Sequence, residues 1–589
     1  MNVRWVLPSE AESEVQRLAA AMKLHEPAAR VLIHRGYRNP EQARQFLEAR
    51  FEDLHSPFLL KDMELAVRRL RRAVEDREPV LLYGDYDVDG ATSVLVLQKT
   101  IEAAGGAAAY WIPHRLRDGY GMKASVVEQA AADGVKLIIS VDTGIRASAV
   151  VERANQLGID VIVTDHHLPE AELPPACAVL NPKQPDCPYP DKNLCGAGVA
   201  FKLAWALLET MNWPETRRTR LLKSLVKLVA IGTVADVVPL TGENRILVKH
   251  GLEGLREVRN PGLRALLEAA GFREGEIPTA PQVAFRIAPR LNAAGRMAEA
   301  GDVIELFLTP DPARARELAA RLHGLNQERQ QTEAEMLERI YKICCQKPVT
   351  AEDKALVFCG AGWHRGVVGI VASRLVERYH RPVFVLGEDP ETGVAQGSGR
   401  SIPQFHLLAA LEAMADLFTQ FGGHRLAAGV TLPAERVGEF RVRLNAHART
   451  VLRDQDLEAA VELDARLSAE EVSDVSVGEV LRMAPFGFGN PAPLFGLMGA
   501  RLEGAPRIIK DRHVRLRLAQ NGAALNVMAW NAAEALGRLS AGAQIDAAVT
   551  FEEDPGGRAA MRAGRRCCGI SVRPKGETGG RGAGVQGRA

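Results

Sequence analysis

Four acidic motifs carry whatever chemistry this chain performs. They are Asp85-Tyr86-Asp87-Val88-Asp89-Gly90, Asp142-Thr143-Gly144, Asp165-His166-His167, and Asp236 within GTVADVVPL. Carboxylates crowded together repel, and each makes its neighbours harder to ionise. Divalent cations remove that penalty. A ligand set rich in oxygen with one or two imidazoles suits Mn2+ or Mg2+ better than Zn2+. Two such ions about 3.5–4 Å apart form a general machinery for phosphodiester hydrolysis. Taken singly each motif says little, because Asp/Gly runs make turns in all kinds of protein. A calcium-loop reading of DYDVDG fails, since Val96 stands where a Glu would close the loop.

The elements that precede these motifs turn them into a site. VLLYG (80–84), VKLIISVD (135–142) and IDVIVTD (159–165) read as short apolar strands, with SVLVLQKTIEAAG and RASAVVERANQLG as intervening helices. Such alternation predicts a parallel, doubly wound sheet. Ligands of open α/β sheets bind beyond the carboxyl ends of the strands. Three of the motifs therefore converge on one crevice. Asp236 is predicted in the turn after the helix LLKSLVKLVAI, within a helical stretch from Val199 to about Ala270.

Further along, Pro312 to Lys347 reads as one long helix whose middle, NQERQQTE, is polar on every side. That pattern suits a helix bridging domains through solvent. A second, smaller α/β unit follows: strand ALVFC, helix GWHRGVVGIVASRL, strands PVFVL and VAQGSGR, then FGGHRLAAGVTL (421–432). From about Leu457 the pattern turns to β. HVRLRLAQ (513–520) alternates apolar and basic residues, and LNVMAW and IDAAVTF are further strands. Several short strands there suit a small barrel of oligonucleotide-binding type. The expected organisation is a helical segment (1–50), a catalytic α/β domain (51–311), a connecting helix (312–347), a second α/β domain (348–456), a β domain (457–574) and a disordered Gly/Arg-rich tail (575–589).

Composition narrows the class. The 589 residues are too many for one core, and 47% hydrophobic with 25% charged residues is ordinary for globular protein. Seventy-four basic against 73 acidic residues leave a net charge of +1, so any nucleic-acid site must be a local patch. The eight cysteines form no CxxC pair, which argues against a disulfide framework or a zinc ribbon. The sequence shows neither an apolar run long enough to span a bilayer nor a signal peptide, so a cytoplasmic protein is expected.

DYDVDG, SVDTG, VTDHH and GTVADVVPL, in that order and spacing, resemble the four motifs of the DHH phosphoesterase superfamily. WIPHRLRDGYG (111–121), APRLNAAGRM (288–297), GWHRGVVGIVASRL (362–375), GSGRS (397–401), FGGHRLAAG (421–429) and FGFGNPAPLF (486–495) extend the likeness to the superfamily's bacterial single-strand exonucleases. The resemblance covers about residues 1–570. It implies a 5′→3′ exonuclease specific for single-stranded DNA, which uses two Mn2+ or Mg2+ ions and releases 5′ mononucleotides in recombination and repair. By the same likeness a helicase and a single-strand-binding protein are partners. Carried over by motif, Asp87, Asp89, Asp142, His166 and Asp236 ligate the metals, with Asp142 as the bridge. Asp165 orients an imidazole, His167 points to the scissile phosphate, and His424 of the DHH-associated domain faces the metals across a cleft. Asp85 is either a ligand or a support for its loop.

Two rival readings are weaker. Pyrophosphatases and nano-RNases of the superfamily carry a His four residues before the first metal Asp, where this chain has Tyr83, and they lack the β domain. A catalytically dead relative that only binds DNA or a replisome partner would have lost ligands, and all five stand here. Single strands are held by cations along the phosphates and by stacking on aromatic rings. Arg115, Arg290, Asn292, Arg296, Ser398 and Arg400 occupy family-like motifs and are the expected substrate contacts. Gly397 and Gly399 would let backbone amides approach an anion, as would the start of the GWHRGVVGIVA helix. In the β domain Arg512, His513, Arg515 and Arg517 form a basic strand, with Phe486 or Phe488 available for stacking.

Overall fold

The computed structural model describes residues 4–9, 11–115, 117–119, 121–553, 559–563 and 570–572. The expected tail at 575–589 lies outside them. The chain folds into two compact units. One holds Ala49–Met336 together with Pro485–Pro491; the other holds the described residues up to Glu48, Leu337–Ala484 and those from Ala492 onward.

The first unit is built on a five-stranded, wholly parallel sheet. Its order is Ala108–Trp111, Val80–Tyr83, Leu137–Val141, Asp160–Thr164, Ala178–Leu180. The strands Val80–Tyr83 and Leu137–Val141 are buried along their whole length, as continuous apolar runs covered on both faces must be. Alternate residues serve opposite faces. Leu82, Ile139 and Ile162 join the large core with helices Val88–Ala103, Gly196–Thr210 and Glu215–Ala235. Leu81, Ile138 and Val161 pack against helices Ala124–Ala132 and Ser148–Gln156. Leu137–Val141 is thus the central strand, and the three motif-bearing strands are adjacent.

Within this core Lys202 is wholly buried. Its ammonium donates to Glu243 at 2.6 Å and to the His55 carbonyl at 2.8 Å. The Tyr189 hydroxyl donates to the other Glu243 oxygen. Removing one partner of such a pair strands a buried charge, at a cost of roughly 3–5 kcal/mol.

The second unit contains a mixed sheet in the order Gln420–Gly423, Ala427–Pro433, Val394–Arg400, Val383–Asp389, Leu356–Ala361. Helices Val368–Tyr379 and Val437–Val451 belong to the same α/β region. It also contains the barrel. Strands Phe495–Leu502, His513–Gln520, Ala523–Ala529, Ala559–Ala563 and Gln544–Glu553 pair in that order, and the last returns to the first. Val514, Leu516 and Leu518 point inward and Arg515 and Arg517 outward, the alternation that the sequence implies.

Four local expectations need correction. The first 50 residues are not purely helical. Arg4–Val6 is a strand paired in parallel with Ala460–Glu462, and the helices behind it are tied down: Arg30 pairs with Glu471 and Arg35 with Asp464. A partner more than 450 residues away leaves no local signal. The long helix runs Pro312–Gln346, yet its middle is not solvated all round, because Asn326, Arg329 and Glu333 are buried and the last two pair at 3.0 Å. The helix expected from the glycines at 362 begins only at Val368. Asp236 sits at the immediate end of a helix that continues to Ala235, rather than in a later turn.

Candidate active site

Three of the four motifs emerge where a parallel strand stops, and Asp236 where helix Glu215–Ala235 ends. After Val80–Tyr83 the chain turns through Asp85, and Asp87 caps the next helix by accepting from the Gly90 amide at 3.0 Å. Asp89 is the second residue of that helix and is fully buried. Its two oxygens accept from the amides of Gly196 at 2.6 Å and Ala197 at 2.9 Å, the first N–H groups of another helix. Unpaired amides at a helix start are natural anion holders. Gly196 is required for the approach, since a Cβ there would stand 2.7 Å from that of Asp142.

Asp142, at the end of the central strand, has φ 59, a region costly for a residue with a Cβ. Its amide donates to the Thr164 carbonyl at 2.9 Å, and the neighbouring strand thereby fixes it. Asp165 is held by three main-chain donors: Ile145 at 3.0 Å, His166 at 2.7 Å and His167 at 3.0 Å. The same carboxylate is 2.7 Å from His167 Nδ1.

His166 is where these groups meet. Its Nε2 lies 3.1 Å from Asp142, 3.5 Å from Asp236 and 3.8 Å from Asp89. Three overlapping clusters have ligand atoms within 4.8 Å of one another: Asp85, Asp87 and Asp142; Asp142, His166 and His167; Asp89, His166 and Asp236. Asp142 and His166 each belong to two of them. Asp142 Oδ1, Asp236 Oδ2, Asp85 Oδ1 and both ring nitrogens of His166 are buried without a hydrogen-bond partner. Buried polar atoms are rarely left so. This donor set fits oxygen-seeking divalent cations.

The electrostatics agree. Burial, then the charge of Asp87, pushes the Asp89 carboxyl up to about 6. Burial, then Asp89 and Asp87, pushes Asp236 up to about 9. Asp142 and Asp85 are also raised, chiefly by burial and then by neighbouring carboxylates. Burial drives His166 down to about 3, which leaves its imidazole neutral. Asp165 goes the other way. Burial would raise it, but the bond to His167 and the charge of that imidazole bring it down to about 2. A cluster that resists its own charge is complemented by cations.

Other expected residues fall into two groups. Arg115 lies over the Tyr86 ring at 4.7 Å, beside the Asp85–Asp89 turn. Arg290, Asn292 and Arg296 lie on helix Ala288–Met297 of the same unit. Arg290 donates to the Arg286 carbonyl and keeps a buried Nε without a partner. Ser398 and Arg400 belong to the other unit, on one face of strand Val394–Arg400. A Cβ on Gly369 would meet Arg400 at 3.0 Å and Ser398 at 3.5 Å, so that face lies against helix Val368–Tyr379. His424 occupies the exposed turn after Gln420–Gly423, its amide donating to Ala427, a register neighbour of Arg400.

Sequence reasoning missed Lys183. It follows the edge strand Ala178–Leu180, and its amide donates to Asn181, which in turn donates to the His167 carbonyl at 2.8 Å. Burial lowers the Lys183 ammonium, while Asp236 and Asp165 pull it back. It therefore supplies positive charge beside these groups. A lysine in a loop rich in Pro and Asn carries no such signal; only the strand order brings it in.

The chain matches family models for the N-terminal domain of the DHH family (residues 79–233), the DHHA1 domain (352–450) and the RecJ OB domain (463–555). It is 39% identical over 545 residues to the single-stranded-DNA-specific exonuclease RecJ of Bacillus subtilis strain 168, covering 92% of this chain and 68% of that protein. The namesake from Thermus thermophilus is 36% identical, covering 90% of this chain and 73% of that one. Among solved structures, Thermus thermophilus RecJ in complex with Mn2+ superposes with a TM-score of 0.80 at 33% identity, covering 98% of this chain and 81% of that one. Its Mg2+ complex gives 0.74 at 32% identity, covering 98% and 80%.

Proposed function

From the premise that this chain belongs to the RecJ family of single-stranded-DNA-specific exonucleases, we propose that it removes 5′ mononucleotides from the 5′ end of single-stranded DNA. The observation that carries the reading is the meeting of Asp89, Asp142 and Asp236 on His166, with buried ligand atoms left unpaired. Asp87, Asp89, Asp142, His166 and Asp236 would hold two Mn2+ or Mg2+ ions, with Asp142 between them and Asp85 beside Asp87. Such ions supply charge that acidifies water and neutralises the phosphate under attack.

The chain's own groups do the rest. Asp165 fixes His167 with Nδ1 directed at its carboxylate, which leaves Nε2 as the ring atom to face the scissile phosphate. The amides of Gly196 and Ala197 hold Asp89 in one orientation, so no reorganisation is needed when substrate arrives. Arg115, Arg290, Asn292 and Arg296 would grip phosphates on the strand. Ser398, Arg400 and His424 form a separate polar group suited to the terminal phosphate. Among the described residues no helix is long and apolar enough to cross a membrane. We assign the enzyme to cytoplasmic recombination and repair, where a helicase and a single-strand-binding protein would expose its substrate.

The test uses single strands labelled at the 5′ or the 3′ end, with Mn2+ or with chelator. Labelled mononucleotide should appear first from the 5′ end, and only with metal. First release from the 3′ end, or undiminished release in chelator, would contradict the proposal.

A further inference from the structure

The loop after Asp236 is strained. Val237, the next residue, has φ 61, an outlier for a β-branched side chain. That side chain is 61% exposed, so no apolar burial offsets the strain. Residues in such conformations persist only where their surroundings over-determine them.

The restraints are visible. At its start the Asp236 amide donates to the Gly232 carbonyl at 2.9 Å, closing the helix. At its far end the Glu243 amide donates to Asp191 at 2.8 Å, and the Glu243 side chain is locked by Lys202 and Tyr189. Asn244 donates to the Pro239 carbonyl at 3.1 Å. The middle is held by a segment nearly 250 residues away. The amide of Leu240, itself buried, donates to the Phe488 carbonyl at 2.7 Å.

That segment, Pro485–Pro491, belongs to the catalytic unit although the residues on both sides of it belong to the other. It is a closed turn: Gly487 and Asn490 exchange main-chain hydrogen bonds at 2.8 and 3.2 Å, and the buried Asn490 side chain donates from Nδ2 to the Pro485 carbonyl at 2.9 Å. Gly489 has φ +72, and a Cβ on it would stand 2.7 Å from Pro239 Cβ. Only glycine lets the turn lie this close.

We propose that the Pro485–Pro491 turn is a positioning clip for Asp236, holding the 237–241 loop in the path that aims this carboxylate at His166. The clip acts through its main chain, while the Phe488 ring is 60% exposed and is not needed for it. The proposal rests on the reading that Asp236 holds a divalent cation. Supporting groups behind metal ligands are worth about 10–100-fold in affinity. The clip's share is set at the lower end, since it acts three and four residues beyond Asp236, through Pro239 and Leu240.

The experiment is calorimetric titration of Mn2+ alone into the full-length protein, beside the variants Gly489→Ala, Asn490→Ala, Phe488→Ala and Asp236→Asn. Gly489→Ala and Asn490→Ala should each weaken Mn2+ binding about tenfold, while single-strand affinity measured in chelator stays unchanged. Phe488→Ala should leave Mn2+ affinity unchanged. Cleavage by Gly489→Ala should recover as Mn2+ is raised. Should Gly489→Ala fail to melt cooperatively, Asn490→Ala, which adds no bulk, carries the test. Wild-type Mn2+ affinity in both clip variants, or an equal loss in Phe488→Ala, would overturn the clip. Wild-type affinity in Asp236→Asn would overturn the metal reading of Asp236 itself, and the clip with it.

Discussion

The two α/β regions present polar residues in contrasting ways. In the parallel sheet, Asp85, Asp89, Asp142, Asp165 and His166 are all nearly or fully buried at strand ends, and several of their ligand atoms lack a partner. In the mixed sheet, Ser398 and Arg400 sit half-buried along a strand, and His424 is exposed in a turn. Burying uncompensated charge is expensive, so a fold does it where a ligand returns the energy. Half-buried cations and hydroxyls cost little and suit contacts that form and break with each nucleotide. The first region presents a buried cluster that repels itself, and the second a more accessible polar surface.

The sharpest way to break this contrast is Asp142→Ala. It removes a group shared by two of the three clusters, and the cleavage rate should fall by at least ~1,000-fold, about 4 kcal/mol of barrier. Single-strand affinity should stay nearly intact. A variant keeping more than about a tenth of the rate, a loss of only ~1.4 kcal/mol, would show that Asp142 bridges nothing.

Asp165→Asn comes next. The variant keeps the shape but loses the charge that orients His167, and the rate should drop about 10–100-fold. Single-turnover rates at saturating Mn2+ check this; a wild-type rate would reduce Asp165 to a loop support.

Arg400→Ala tests the second region. Affinity for 5′-phosphorylated single strands should weaken about tenfold, and the salt slope should flatten by roughly 0.7 for the lost phosphate contact. Binding across a salt series reads both. A fall in rate at saturating DNA with unchanged affinity would place Arg400 with the chemistry instead.

Smallest is Arg515→Ala on the barrel. That side chain lies on the outward face of its strand, where a solvated charge contributes at most ~1 kcal/mol. Affinity should change less than about fivefold by the same reasoning. A larger loss would move the barrel from the margin of binding to its centre.

The same contrast explains what the sequence disclosed. Asp87, Asp89, Asp142 and the Asp165–His167 run were legible because each follows an apolar strand, and strand ends converge by the geometry of parallel sheets. Ser398, Arg400 and His424 have no such rule behind them, and only resemblance singled them out. Lys183 was invisible because its place depends on which strand forms the sheet edge. The polar run around Arg329 suggested solvent, whereas Arg329 and Glu333 satisfy each other inside. The FGFGNP turn reads as part of the β region by position. Its glycines and Asn490 gave no hint that it lies against the loop after Asp236. A cut after Asp456, natural from the sequence, would remove that turn and also the partner of strand Arg4–Val6.

The proposed role of the buried carboxylates and His166 is to hold two divalent ions. Calorimetric titration of Mn2+ into metal-stripped wild-type protein and the Asp142→Asn variant tests it most directly. Two ions per chain should bind the wild type, and neither should bind the variant with comparable affinity. One ion or none in the wild type, or an unchanged isotherm in the variant, would contradict the account.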